Sequence, residues 1–240
     1  MTSHGQAAAG SARRGRYHHG DLRQALIETA IAMLGERGAE AFSLAEASRR
    51  LGVAASAPYR HFADRDALLA AVAVRAAGLL AEQLDRSAAT GTPAQRLAAA
   101  ARAYVHFADD QRPLFRALAG SGLNKDGHPE IAAAARAIGT AFLSPAAELA
   151  SGSQAAAARL ASAIVATAHG HAVLMLDGMF GSGRQAAQAA AEQAAAATLA
   201  LISGRDWLTQ PPAADRLPRN GQPRQSVTPL RVSGLMKPNR

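Results

Sequence analysis

Ser43, Ser56, Tyr59, Arg60 and His61 gather hydroxyls, a guanidinium and an imidazole into one short stretch, SLAEASRRLGVAASAPYRHF, running from Ser43 to Phe62. These groups suit a nucleic-acid partner. Hydroxyl and imidazole groups bond phosphate oxygens, and a guanidinium forks onto the paired acceptors of guanine. Elsewhere His169, His171, Asp177 and Glu192 supply acid–base chemistry, but no nucleophile motif, metal-ligand spacing or glycine-rich phosphate loop accompanies them. Histidines at i and i+2 diverge on a helix, whereas a chelating pair needs i and i+4. A helical enzyme using His169 with Asp177 or Glu192 therefore rests on residue types alone, and no cofactor or metal is expected.

The first set needs two short helices to hold it. Ser43 suits the cap of a helix that carries Leu44, Ala47 and Leu51 on one side, Gly52 permits a reversal into Val53, and a third helix covers about Ala55 to Phe62. In a helix-turn-helix the second of the pair lies in the major groove with its first residues at base edges. The expected DNA-facing residues are Ser43, Ala55, Ser56, Ala57, Tyr59, Arg60 and His61. With alanines at 54, 55 and 57 and Pro58 inside the helix, direct base readout falls chiefly to Arg60. Taken singly, Ser43 is equally a cap and Tyr59 equally a core ring, while Arg49 and Arg50 are read as facing solvent. The alanines at 54, 55 and 57 also leave open a helical dimer that has lost DNA binding.

The neighbouring elements follow from periodicity. A first helix runs from a cap at Asp21 to near Gly38 with Leu22, Leu26 and Met33 on its apolar face, and Asp64 caps a long fourth helix bearing Leu69, Val72 and Ala76. Thr92, Pro93 and Gln95 open a helix to about Ala108, and Pro113 to Ala119 is a short helical piece. Pro129 opens another helix, which Ser144 and Pro145 must kink or restart. Two long helices, about Gln154 to Phe180 and Arg184 to Ile202, are joined by Gly181, Ser182 and Gly183, a loop short enough to make them antiparallel neighbours. Their small-residue faces favour a symmetric partner and a four-helix bundle, with Leu160, Ile164, Leu174, Leu199 and Ile202 as candidate contacts.

No strand-like alternation occurs, so the fold class is all-α: an N-terminal three-helix helix-turn-helix domain at 17–63 and a larger helical domain at 64–203. Hydrophobic residues are 49% of the chain, charged residues 18% and aromatics 4%, a balance that favours closely packed alanine- and leucine-rich helices. The net charge of +8 lies at the ends, with +3 in residues 1–16 and +5 in residues 205–240, and both central segments are neutral. The leader 1–16 and the proline-rich tail 204–240 are expected to be disordered. There is no cysteine, the leader has no apolar signal-peptide core, and the most apolar stretch, Ala161 to Phe180, is interrupted by Thr167, His169, His171 and Asp177. A cytoplasmic protein without a membrane span is the expectation.

Tyr59, Arg60, His61 and Phe62, followed by Asp64 to Leu69, resemble the end of the recognition helix and the start of the long helix in the TetR family of one-component regulators. Tyr17, His18, His19, Gly20, Asp21, Leu22 and Arg23 resemble the leader of a subgroup whose C-terminal domain carries Trp-x-x-x-His-Gly. His169 and Gly170 match that signature, and Val165 stands where its tryptophan would be; Leu174, Leu176, Asp177 and Gly178 also fit. The resemblance is dense over 17–70 and weaker over 95–200. It implies phosphate contacts by Tyr59 and His61, and a homodimer built on the last two helices. It also implies an effector pocket in the larger domain and, more often than not in the family, repression relieved when a small molecule shifts the fourth helix. Tyr104, Phe107, Phe115, Phe142, His169 and Met175 are the candidate pocket residues, each equally able to fill an alanine-rich core. Operator DNA, a second copy of the chain and an unidentified small molecule are the partners implied.

Overall fold

The computed structural model describes residues 19–38, 42–120 and 128–205; the leader, Tyr17 and His18, and nearly all of the tail lie outside them. The elements are α1 (His19–Arg37), α2 (Leu44–Leu51), a 3-10 turn (Pro58–Arg60), α3 (Arg65–Ser87), α4 (Pro93–Asp110), α5 (Arg112–Gly120), α6 (Pro129–Leu149), α7 (Gln154–Leu176) and α8 (Arg184–Ser203). No strand occurs among the described residues.

Local chemistry explains most of the boundaries. Ser43 accepts the Glu46 amide at 3.2 Å and Asp64 the Ala67 amide at 2.8 Å, each supplying an acceptor to a donor the helix itself leaves unpaired. Thr92 and Gln95 form a reciprocal capping box at 3.3 and 2.9 Å. Gly52 ends α2 at φ 65°, ψ 29°, in the left-handed region, and the Val53 amide then donates to the Ser48 carbonyl at 3.1 Å. No atom would lie within 4 Å of a Cβ added there, so the demand at this corner is purely conformational. Gly52→Ala should therefore lose about 1 kcal/mol and Gly52→Asn less, because asparagine tolerates that conformation. Urea melts of the two variants would check the order; equal stability of wild type and alanine would show that the corner relaxes.

Four expectations are corrected. The first helix starts at His19, which makes Asp21 its third residue rather than its cap. The third helix is not an α-helix: Pro58 has no amide to give the Ala54 carbonyl, and i→i+3 bonds form instead at Ala57, Arg60 and His61. The long helix expected as fourth is consequently α3. The helix through Pro145 does not restart, because Phe142, Pro145 and Ala146 are all buried and packing holds α6 together to Leu149. Finally, α7 stops at Leu176, where Gly178 at φ 81° ends the helix short of Phe180.

One continuous apolar core joins the helix-turn-helix to the rest, from Leu26 and Met33 of α1 through Leu69 and Leu80 of α3 to Phe107, Phe142, Ile164 and Ile202. α8 turns Ala187, Ala190, Ala191 and Ala194 inward and packs on α4, and the missing side-chain bulk lets the two backbones approach closely. Arg102 clamps that pair with a bidentate bond to Glu192, 2.8 Å at each oxygen. Among the described residues two helices, α3 and α7, are long and apolar enough to cross a membrane, with mean hydropathy 1.6 and 1.2. The α3 value exceeds that of α7, so the stretch beginning at Ala161 is not the most apolar. Both helices pack against their neighbours in the core. The expected dimer contacts also divide: Leu160, Ile164 and Ile202 are buried inside their own chain, whereas Leu174 and Leu199 are 41% and 44% exposed.

Candidate nucleic-acid interface and interior cavity

The turn after Gly52 is anchored by what it buries. Pro58 and Phe62 are buried, and the Pro58 carbonyl accepts from both the His61 amide (2.9 Å) and the Phe62 amide (3.0 Å). With those two residues held inward, the intervening ones are turned out: Tyr59 is 59% exposed, Arg60 is exposed and His61 half-buried. Ser43, Ala55 and Ser56 are exposed as well, and Ala57 is half-buried. Tyr59 and Arg60 make no side-chain hydrogen bond or ion pair among the described residues, so both polar groups are available to a partner.

Three other arginines of this region, Arg23, Arg50 and Arg65, are engaged with the fold. Arg50 forks onto Glu36 of α1 at 2.9 and 2.7 Å and also reaches Glu46 at 3.3 Å; the bond to Glu36 above all, with Glu46 adding to it against the opposing effect of desolvation, pushes its pKa further up. Arg49 pairs with Glu46. Arg65 donates to the Phe42 carbonyl at 3.2 Å, tying the start of α3 to the residue before Ser43, and Arg23 lies 5.2 Å over the Phe62 ring. Arg50 and Arg65 brace the helix-turn-helix against α1 and α3, which the sequence pattern did not reveal because the partners are far apart along the chain.

In the larger part, four of the expected pocket residues form one aromatic cluster. Tyr104 stands edge-on to Phe115 (5.9 Å, 88°) and to Phe142 (6.5 Å, 64°), and shares a 3.1 Å hydrogen bond with Nδ1 of His169. Burial pushes the Tyr104 hydroxyl up to about 12, so it stays neutral. Phe107 and Met175 are buried in the core.

A cavity of about 360 Å3 opens beside this cluster. Of the six expected residues, Phe115 and His169 border it. The others lie in packed protein behind. Further lining comes from Leu34 of α1 and Gly38 just after it, from Leu69 of α3, from Arg116, Ala117 and Ala119 of α5, and from Val173, Leu176 and Asp177 at the end of α7. Leu34 and Leu69 read as ordinary core positions in sequence; only the meeting of four helices shows that a void lies between them. Among the described residues no group of acidic and histidine side chains could hold a metal ion.

Residues 26–72 match the model of bacterial regulatory proteins of the tetR family, and residues 97–198 match that of the tetracyclin repressor-like C-terminal domain. No curated protein matches the chain. Among solved structures, a protein of unknown function from Rhodococcus sp. RHA1 is 29% identical, with a TM-score of 0.66, covering 77% of this chain and 97% of that one. A regulatory protein in the tetR family from Rhodococcus RHA1 is 16% identical, TM-score 0.60, with coverage of 75% and 96%. A tetR-family transcriptional regulator from Streptomyces coelicolor is 22% identical, TM-score 0.59, with coverage of 79% and 86%. Helix-turn-helix geometry and the two family matches lead to one conclusion: this chain belongs to the TetR family of transcriptional regulators.

Proposed function

We propose that the protein is a cytoplasmic, homodimeric repressor that binds operator DNA through residues 17–63 and leaves it when a small molecule enters the helical part at 64–203. The observation that carries the DNA reading is the turned-out pair Tyr59 and Arg60, without partners among the described residues and held by buried Pro58 and Phe62. Arg60 reads a base edge. Tyr59, His61 and Ser43 hold phosphates, and Ala55, Ser56 and Ala57 are small enough to let the backbone approach the groove. The dimer is supported by exposed small and apolar side chains on α7 and α8, Ala166 and Leu174 on one and Ala189, Ala196 and Leu199 on the other. α3 connects the two functions, since its cap Asp64 follows the DNA-facing turn and its Leu69 borders the cavity. His169 and Gly170 in α7 support a reading within the subgroup that has a Trp-x-x-x-His-Gly C-terminal domain, with Val165 at the tryptophan position.

The test is binding of the full chain to DNA flanking its own coding sequence and to random DNA. Arg60→Ala should weaken the specific complex by about 1–3 kcal/mol with little effect on the random one, whereas His61→Ala should weaken both in parallel and lower the salt slope. Equal losses on both DNAs for Arg60→Ala would remove its base-reading role. A wild-type chain with no preference for the flanking DNA would favour the second reading, a dimer without operator recognition, to which the exposed Ala54 and Ala55 point.

A further inference from the structure

We propose that the cavity between α1, α3, α5 and α7 binds a neutral, planar, mainly apolar small molecule that touches the DNA-binding helices directly. This rests on the effector-responsive reading above for its consequence, though not for the binding itself.

Position is the first argument. Leu34 lies in the last turns of α1 and Gly38 directly follows that helix, which packs on α2 and on the 3-10 turn, and Leu69 lies early in α3, shortly after the DNA-facing turn. Phe115 of α5 and His169 and Val173 of α7 face them from the larger part. An occupant therefore contacts both parts at once, and any change in the separation of α1 or α3 from α7 is felt at Tyr59 and Arg60 without a relay through the core. The aromatic cluster behind is closed by contrast, with Tyr104, Phe107 and Phe142 buried and packed.

Size and charge indicate the class of ligand. At about 360 Å3 the void falls at the small end of the range of small-molecule sites. Its walls are Leu34, Leu69, Val173 and Leu176 with the Phe115 ring, and an unpaired charge set among them would lose its hydration without compensation. Arg116 and Asp177 are exposed, of opposite sign, and together favour neither an anion nor a cation. Flatness follows from the rings. Phe115 and His169 both border the void, with centroids 5.6 Å apart and planes tilted by 33°, and the Tyr104 bond to Nδ1 holds the imidazole in place. Two rings fixed side by side in one wall favour an aromatic occupant, which can meet them offset-stacked or edge-on at little ordering cost.

The experiment uses the full chain and 1-naphthol, a neutral fused ring with one hydroxyl, titrated by calorimetry without DNA beside 1-naphthoate and decanol. One naphthol per chain is expected, with naphthoate and decanol each weaker by about tenfold or more. Val173→Phe and Ala119→Phe, which fill the void from α7 and from α5, should each weaken naphthol by about tenfold or more at unchanged helix content. Nuclear Overhauser contacts from naphthol to Leu34, Leu69 and Phe115 in the wild type are expected too, a readout that needs no variant to fold. Their absence overturns the site, as would naphthoate binding as tightly as naphthol. Saturating naphthol should then weaken operator binding by about tenfold or more. Unchanged operator affinity with naphthol in the cavity overturns the direct coupling. A chain that recognises no operator defeats the regulatory reading instead, while the DNA-free titration still judges the site.

Discussion

Leu199→Arg should turn the protein into a folded monomer and weaken operator binding by about a thousandfold or more, down to the level of random DNA. Leu199 is 44% exposed on the outer face of α8, with exposed Ala196 and Ala200 beside it, so its side chain has little to lose inside its own chain. In a symmetric interface the substitution acts twice, since each copy brings one guanidinium to the same seam. An unpaired charge in a desolvated contact costs about 3–5 kcal/mol, enough to dissociate an interface of ordinary strength. Each half of the operator would then be held by a single turn-and-helix unit. Ile164→Arg is the control that separates interface from core: Ile164 is 0% exposed, and its replacement should unfold the chain rather than divide the dimer. Sedimentation at micromolar concentration with a circular dichroism melt distinguishes the two results. A Leu199→Arg protein that stays dimeric and keeps its operator affinity would remove the outer face of α8 from the interface.

Phe142→Ala should lower the stability of the fold by about 3–5 kcal/mol, a large share of what a domain of this size possesses. Phe142 is 0% exposed and stands edge-on to Tyr104, at the place where α6 meets α3, α4 and α7. Aromatic residues are only 4% of the chain, so bulk in the core is concentrated in few side chains. Short alanines nearby cannot swing into the space left behind, and the void would persist. Chemical unfolding with the slope compared to wild type measures the loss. A change below about 1.5 kcal/mol would mean that the helices close over the gap, as sites able to collapse do.

Much of the architecture was legible because it is written in local contacts. Ser43, Asp64 and Thr92 each bond an amide three residues ahead, and Gly52 supplies a conformation other residues resist, so type and spacing suffice to place α2, α3, α4 and the corner. The residues proposed to face DNA are near neighbours along the chain for the same reason. Even there, Pro58 changes the outcome: a residue-by-residue helix pattern does not show that its missing amide removes the helical bond to Ala54 and leaves a 3-10 turn built on i→i+3 bonds at Ala57, Arg60 and His61. Alternation of apolar positions marks a face, but it does not say whether the neighbour covering that face is the same chain or a second copy. Ile164 and Leu199 looked alike in sequence, and only packing assigned Ile164 to the core and left Leu199 exposed. Tyr104, Phe107, Phe142 and Met175 were similarly ambiguous until their burial placed them behind the cavity rather than on its wall. The cavity itself belongs wholly to the tertiary structure. A void is the place where side chains from α1, α3, α5 and α7 fail to meet, and no spacing within a single helix encodes how far away the other three will stand.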